Sequence, residues 1–139
     1  MPWMPGFGRE RGANMRAADT NVLIRLIARD DPEQVASAES FVSPGAWVSL
    51  LVLAETVWVL ESAYGLGRRE VATVVGMLME HDRITLQDED SVRRALSAFQ
   101  KAAAGFSDCL IVEVARKAGH LPVGTFDKAL ARLDGSAPL

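Results

Sequence analysis

The sequence predicts an α/β chain with a mainly parallel sheet. Short apolar segments alternate along the chain with longer stretches of helical periodicity. That is the pattern of strand–helix units whose crossover helices join parallel strands. Helix signals punctuate the same stretches: Asp31-Pro32 reads as an N-cap followed by proline at the first helical position, and Gly65 and Gly67 read as stops. At 139 residues the chain fits one domain, long enough to bury a core without disulfide or zinc staples.

Taken in order, Arg16-Ala17-Ala18-Asp19 is a short strand, and Asn21 to Ala28 carries helical periodicity. The helix capped by Asp31 runs to about Val42 and is stopped by Pro44-Gly45. Ala46 to Val48 is a buried strand, and Ser49 caps a helix from Leu50 to about Ala63. Arg68 to about Glu80 is a further helix, Arg83 to Leu86 a β-type run, and Asp88 to Ala103 helical, followed by Gly105. Ser107 is expected to cap a helix ending near Gly119. Leu121 to Thr125 is a last strand, with Pro122 tolerated at its start. Phe126 to Leu133 is a short helix. Residues 1–14, rich in Gly, Pro and Arg and including Trp3, are expected to be a disordered extension, 15–133 the folded domain, and 134–139 a loose tail.

Composition narrows the function classes. A 49% hydrophobic chain with ordinary charge is a globular profile. A single cysteine, Cys109, excludes an internal disulfide framework and a cysteine-rich zinc site, and a reducing cytoplasm is the expected compartment. No apolar run reaches the roughly 20 residues that span a bilayer; the longest, Val48 to Leu60, is interrupted by Ser49, Glu55 and Thr56. The net charge of −3 argues mildly against a nucleic-acid partner, unless a bound cation or a basic face supplies positive charge locally.

Four acids fall in telling places. Asp19 lies at the carboxyl end of the first predicted strand and Asp127 at that of the last, in Gly124-Thr125-Phe126-Asp127. In parallel sheets functional groups gather beyond those ends. Asp108 lies in a first helical turn, where the helix dipole alone would favour it. Glu55 sits in a nearly all-apolar helix among Leu51, Val52, Trp58 and Val59, which predicts a buried carboxylate needing an arginine, a metal or a proton. Helix capping by Asp19 and Asp127 is the bland alternative. Oxygen donors without histidine or cysteine suit magnesium or manganese. His81 and His120 sit at predicted helix ends and read as solvated, Cys109 as a small buried filler, and Trp47 and Trp58 as core.

These segments resemble the motifs of the PIN-domain family, and within it the VapC-type toxins of bacterial toxin–antitoxin pairs. Asp19-Thr20-Asn21-Val22-Leu23 resembles the opening motif. Val48 to Leu60 resembles the second, with its acid at Glu55; Phe106-Ser107-Asp108-Cys109-Leu110-Ile111 the third; and Thr125-Phe126-Asp127-Lys128 the fourth. The resemblance covers Met15 to about Leu133. It implies a PIN-like, Rossmann-like three-layer sandwich and metal-dependent endonucleolytic cleavage of RNA. It also implies a VapB-like antitoxin partner and a homodimer. Carried over residue by residue, Asp19 and Asp108 are the main Mg2+ (or Mn2+) ligands, Glu55 and Asp127 complete the acidic set, Thr20 and Asn21 shape the turn, and Thr125 assists through its hydroxyl. Where many relatives have a further acid, this chain has Gly105, which puts a second metal in doubt.

Arg25 and Arg29, one helical turn apart, and Lys128 beside Asp127 are candidate RNA contacts; a solvated helix face is the alternative for the arginines and for the pairs Arg68-Arg69, Arg93-Arg94 and Arg116-Lys117. Two other function classes compete. A magnesium-dependent phosphatase of the haloacid-dehalogenase kind needs a second acid two residues after its aspartate nucleophile, where this chain has Asn21. A PIN-like module that grips RNA or protein without cutting would retain the fold and lose acids, and all four are present.

Overall fold

A computed structural model describes residues 15–139. The expected extension 1–14, with Trp3, lies outside the described residues. The chain divides into two compact units: one holds the described residues up to Thr56 together with His81–Gln87, the other Val57–Glu80 and Asp88–Leu139.

In the first unit, strands β1 (Arg16–Ala17), β2 (Ala46–Val48) and β3 (Ile84–Leu86) form a parallel sheet in the order β1-β2-β3. Ala17 lies opposite Trp47, and Val48 opposite Leu86. The middle strand buries Ala46 and Val48 completely on one face, while Trp47 on the opposite face is half-buried. The α/β class and the parallel pairing are thus as the sequence predicts. The first strand is shorter than expected. Ala18 N–H still donates to the Trp47 carbonyl at 2.9 Å, but Asp19 has already left the ladder to cap helix α1 (Thr20–Ala28). Helix α2 (Pro32–Val42) starts on the predicted signal, with Asp31 Oδ1 accepting from Gln34 N–H at 3.1 Å. Helix α3 (Leu50–Ser62) starts in this unit, and Ser49 Oγ caps it by accepting from Val52 N–H at 3.1 Å.

The second unit contains α4 (Arg68–Glu80), α5 (Glu89–Lys101), α6 (Phe106–Ala118), β4 (Val123–Thr125), α7 (Lys128–Ala131) and β5 (Ser136–Pro138). Its core includes Phe99 and Phe106, packed edge to face with ring centroids 5.9 Å apart, the geometry that aromatic quadrupoles favour. Helix α5 ends two residues before its expected limit because Arg68 gathers the freed carbonyls. Its Nη2 donates to Phe99 O and Ala102 O at 2.7 Å and to Ala104 O at 2.9 Å, while its guanidinium lies 4.0 Å from the Phe99 ring centroid.

Two expectations change here. Ser107 does not cap α6; Gly105 does, in an extended conformation. Ser107 is already inside the helix, and the N–H of Gly105 at the N-cap favours the charged form of the Asp108 carboxylate. The tail is not loose. β5 pairs in parallel with β4, Thr125 opposite Pro138. The turn into it requires Gly135, whose φ is +99° and whose added Cβ would lie 3.0 Å from Arg116 Nη2 and 3.1 Å from Val112 Cγ1.

Candidate active site

In the first unit the end of β1 delivers Asp19 to the start of α1. One carboxylate oxygen, Oδ1, accepts from Val22 N–H at 3.2 Å, so the capping role is real. Oδ2 has no protein donor among the described residues and stays available. The next residue, Thr20, donates its hydroxyl hydrogen to Glu55 Oε1 on α3. This contact, between residues 35 apart in sequence, brings the first two motifs together. Asn21 is exposed on α1, where it lines an open groove with Val22, Arg25 and Phe41.

The surroundings predicted for Glu55 are corrected. The carboxylate is exposed, and it shares its face of α3 with Leu51, 79% exposed, and Trp58, 65% exposed. The apolar composition of α3 therefore does not bury this face, and Trp58 is not core. The partner of Glu55 is a threonine hydroxyl, not an arginine. Periodicity misled because the helix is apolar on its exposed side as well as its buried one, so no polar stripe marked the outside.

In the second unit Asp108 is half-buried in the first turn of α6, and Asp127 is exposed after β4. Burial pushes the Asp108 carboxyl above the usual carboxylate range, the negative charge of Asp127 adds to this, and the Gly105 N–H offsets part of it. Two like charges near one another behave this way. Asp127 Oδ1 accepts from Leu130 N–H at 2.8 Å to cap α7. Its own N–H donates to Thr125 Oγ1 at 2.9 Å. Thr125, predicted to help through its hydroxyl, thus fixes the backbone of the acid. Cys109 is fully buried, and burial, with the charge of Asp108 next, pushes its thiol up to about 11; it is an inert filler at neutral pH.

The candidate RNA contacts differ in availability. Arg25 pairs with Asp30 at 2.7 Å, and Arg29 with Glu39 at 3.0 Å. Arg25 Nε is buried with no hydrogen-bond partner among the described residues. Lys128 is exposed directly after Asp127. The remaining basic pairs are mostly engaged too: Arg93 with Glu89, Arg94 with Asp90, Arg116 with Glu113 and Asp134, and Lys117 with Asp88.

Among the described residues, no group of three or more histidine, cysteine, aspartate or glutamate side chains is gathered to hold a metal. A magnesium ion does not require one, because it keeps several waters and takes one or two carboxylates directly. The donor chemistry fits such an ion: all oxygen, with Asp108 under repulsion from Asp127 that a cation would relieve. Sequence reasoning did not foresee the Thr20–Glu55 contact, because it joins residues 35 apart. It also passed over Phe126, which is 84% exposed between Thr125 and Asp127.

Comparison with known proteins adds to this geometry. The family model of the PIN domain matches residues 17–136. The chain is 26% identical over 125 residues to a protein of Aquifex aeolicus (strain VF5) described as a VapC ribonuclease, covering 86% of this chain and 92% of that one. No solved structure matches. No helix among the described residues is long and apolar enough to cross a membrane.

Proposed function

The chain belongs to the PIN-domain family, and from that premise we propose that it is an endoribonuclease dependent on magnesium or manganese, the toxin of a VapBC-type pair. The observation that carries this reading is the presence of all four family acids. They are set on the ends of β1 and β4 and on two helices, with Asp108 and Asp127 in mutual repulsion. The similarity to a protein described as a VapC ribonuclease supports the substrate class.

In this reading Asp19 and Asp108 hold the cation. When bound, it supplies charge to the scissile phosphate and lowers the pKa of an attacking water. Asp19 offers its uncapped Oδ2. Glu55 orients or deprotonates the water; Thr20 occupies Oε1 and leaves Oε2 for that task. Asp127 completes the acidic set, its backbone held by the Thr125 hydroxyl. RNA is the substrate, a VapB-like antitoxin and a second copy of the chain are the protein partners, and the cytoplasm is the compartment.

The test is cleavage of a labelled RNA pool by purified protein, with magnesium, with chelator, and with Asp19→Asn as the contamination control. Cutting that needs magnesium and vanishes in the variant is the expected result. Cutting that persists in chelator or in the variant overturns the reading.

A further inference from the structure

An RNA nuclease needs more than a phosphate site, and this chain is poorly equipped to bind RNA by charge alone. Its net charge is −3, and Arg25 and Arg29, on and just after the helix that Asp19 caps, are in ion pairs. Sequence-tolerant binding of single strands has a second source that salt does not screen: aromatic rings on which bases stack.

Phe126 is the most exposed large apolar side chain of the described chain, at 84%. β4 and the Thr125 Oγ1 contact to Asp127 N–H hold the backbone on either side of it, and Asp127 anchors the start of α7. The ring thus stands in water on a held backbone, next to a candidate catalytic acid and two residues before the exposed cation Lys128. Stacking of a ring on a base, with an ammonium two residues beyond for the phosphate, matches the chemistry of a nucleotide in three consecutive side chains.

We propose that Phe126 is a stacking platform for a nucleobase of the single-stranded RNA beside the cleavage position. The inference rests on the ribonuclease reading and goes beyond it by assigning a base-contacting residue. Phe126 sets substrate affinity without taking part in the chemistry at phosphorus.

The test compares wild type with Phe126→Ala, Phe126→Leu and Phe126→Tyr, all as full chains. Binding of a labelled single-stranded RNA 12-mer is measured with calcium in place of magnesium, beside an abasic 12-mer with the same sugar–phosphate backbone. The Ala and Leu variants are expected to bind the base-bearing strand about tenfold more weakly and the abasic strand as wild type does. The Tyr variant stays within about twofold, and the salt slope is unchanged because no phosphate contact is lost. Thermal midpoints stay at the wild-type value, since the ring is exposed. Equal binding by wild type and Phe126→Ala overturns the inference. So does a loss shared by both strands. An altered sedimentation mass with unchanged RNA binding assigns the ring to a contact between copies and likewise overturns it. Magnesium-dependent cleavage of total RNA by wild type separates the two levels: if it is present, a null result for Phe126 removes only the stacking role. If wild type neither binds nor cuts RNA, the ribonuclease reading falls and the stacking role with it.

Discussion

Asp19 has two tasks that substitution can separate. Oδ1 caps α1 through Val22 N–H at 3.2 Å, and the proposed metal contact needs the other oxygen and the negative charge. Asparagine caps a helix about as well as aspartate, whereas alanine costs about 1 kcal/mol. Loss of the charge at the helix N-terminus adds roughly 0.5 kcal/mol in either variant. Asp19→Asn is therefore expected to lower stability by about 0.5 kcal/mol and Asp19→Ala by about 1.5 kcal/mol. For a chain of this size 1 kcal/mol corresponds to about 4 °C in the thermal midpoint, giving drops of about 2 °C and about 6 °C. A nine-residue helix has little stability of its own, so the cap should be felt. The assay pairs thermal unfolding at pH 7 with magnesium-dependent cleavage of labelled RNA. Both variants should lose cleavage, with only the alanine protein clearly destabilised. If the asparagine variant falls as far as the alanine one, the capping account is wrong. If it cuts at the wild-type rate, Asp19 is not a metal ligand.

Other outcomes follow from contacts described above. Thr20→Val removes the hydroxyl that holds Glu55 and should reduce cleavage at least tenfold, with Thr20→Ser restoring most of it; equal rates for Val and wild type would dismiss Thr20 as a positioning residue. Arg68→Ala releases three close carbonyl contacts and the Phe99 stack, which should cost about 2 kcal/mol; a urea midpoint within error of wild type would contradict this. The Asp88–Lys117 contact at 2.7 Å makes stability depend on pH. Its hydrogen bond with Lys117 lowers the Asp88 pKa, so the contribution is present above the unfolded value of about 3.9 and is lost as pH falls through the lower folded value. The bond with Asp88 raises the Lys117 pKa, so that contribution is present below about 10.4 and is lost as pH rises through the higher folded value. The difference in midpoint between wild type and Lys117→Met should thus be present at pH 7 and shrink as the pH falls below about 3.9; a constant difference would refute the linkage.

Much of the scaffold was legible because its signals are local. The Asp31-Pro32 start, the Ser49 cap and the buried strand Ala46–Val48 depend on residues adjacent in sequence. Three of the four motif acids, Asp19, Asp108 and Asp127, fall at element ends that the alternation predicted, and Glu55 lies within α3. What the sequence hid depends partly on tertiary burial and pairing and partly on where a helix starts to the residue. Glu55 looked buried because Leu51 and Trp58 flank it, yet all three are exposed. Ser107 looked like a cap, but Gly105 holds the N-cap position. The last strand was invisible because Ser136–Pro138 lacks strand composition and acquires its form only by pairing with β4.

That last strand makes the position of an acid depend on residues well beyond it. Leu139 N–H donates to the Thr125 carbonyl at 2.9 Å, and the Leu139 side chain lies over Gly124, 3.4 Å from where a Cβ would stand. Thr125 in turn steadies Asp127. A nonsense codon or exopeptidase that removed residues 136–139 would spare every acid yet unfasten the ledge that carries one of them. A preparation that lacks residues 136–139 is accordingly a poor standard for activity even when its mass looks nearly intact.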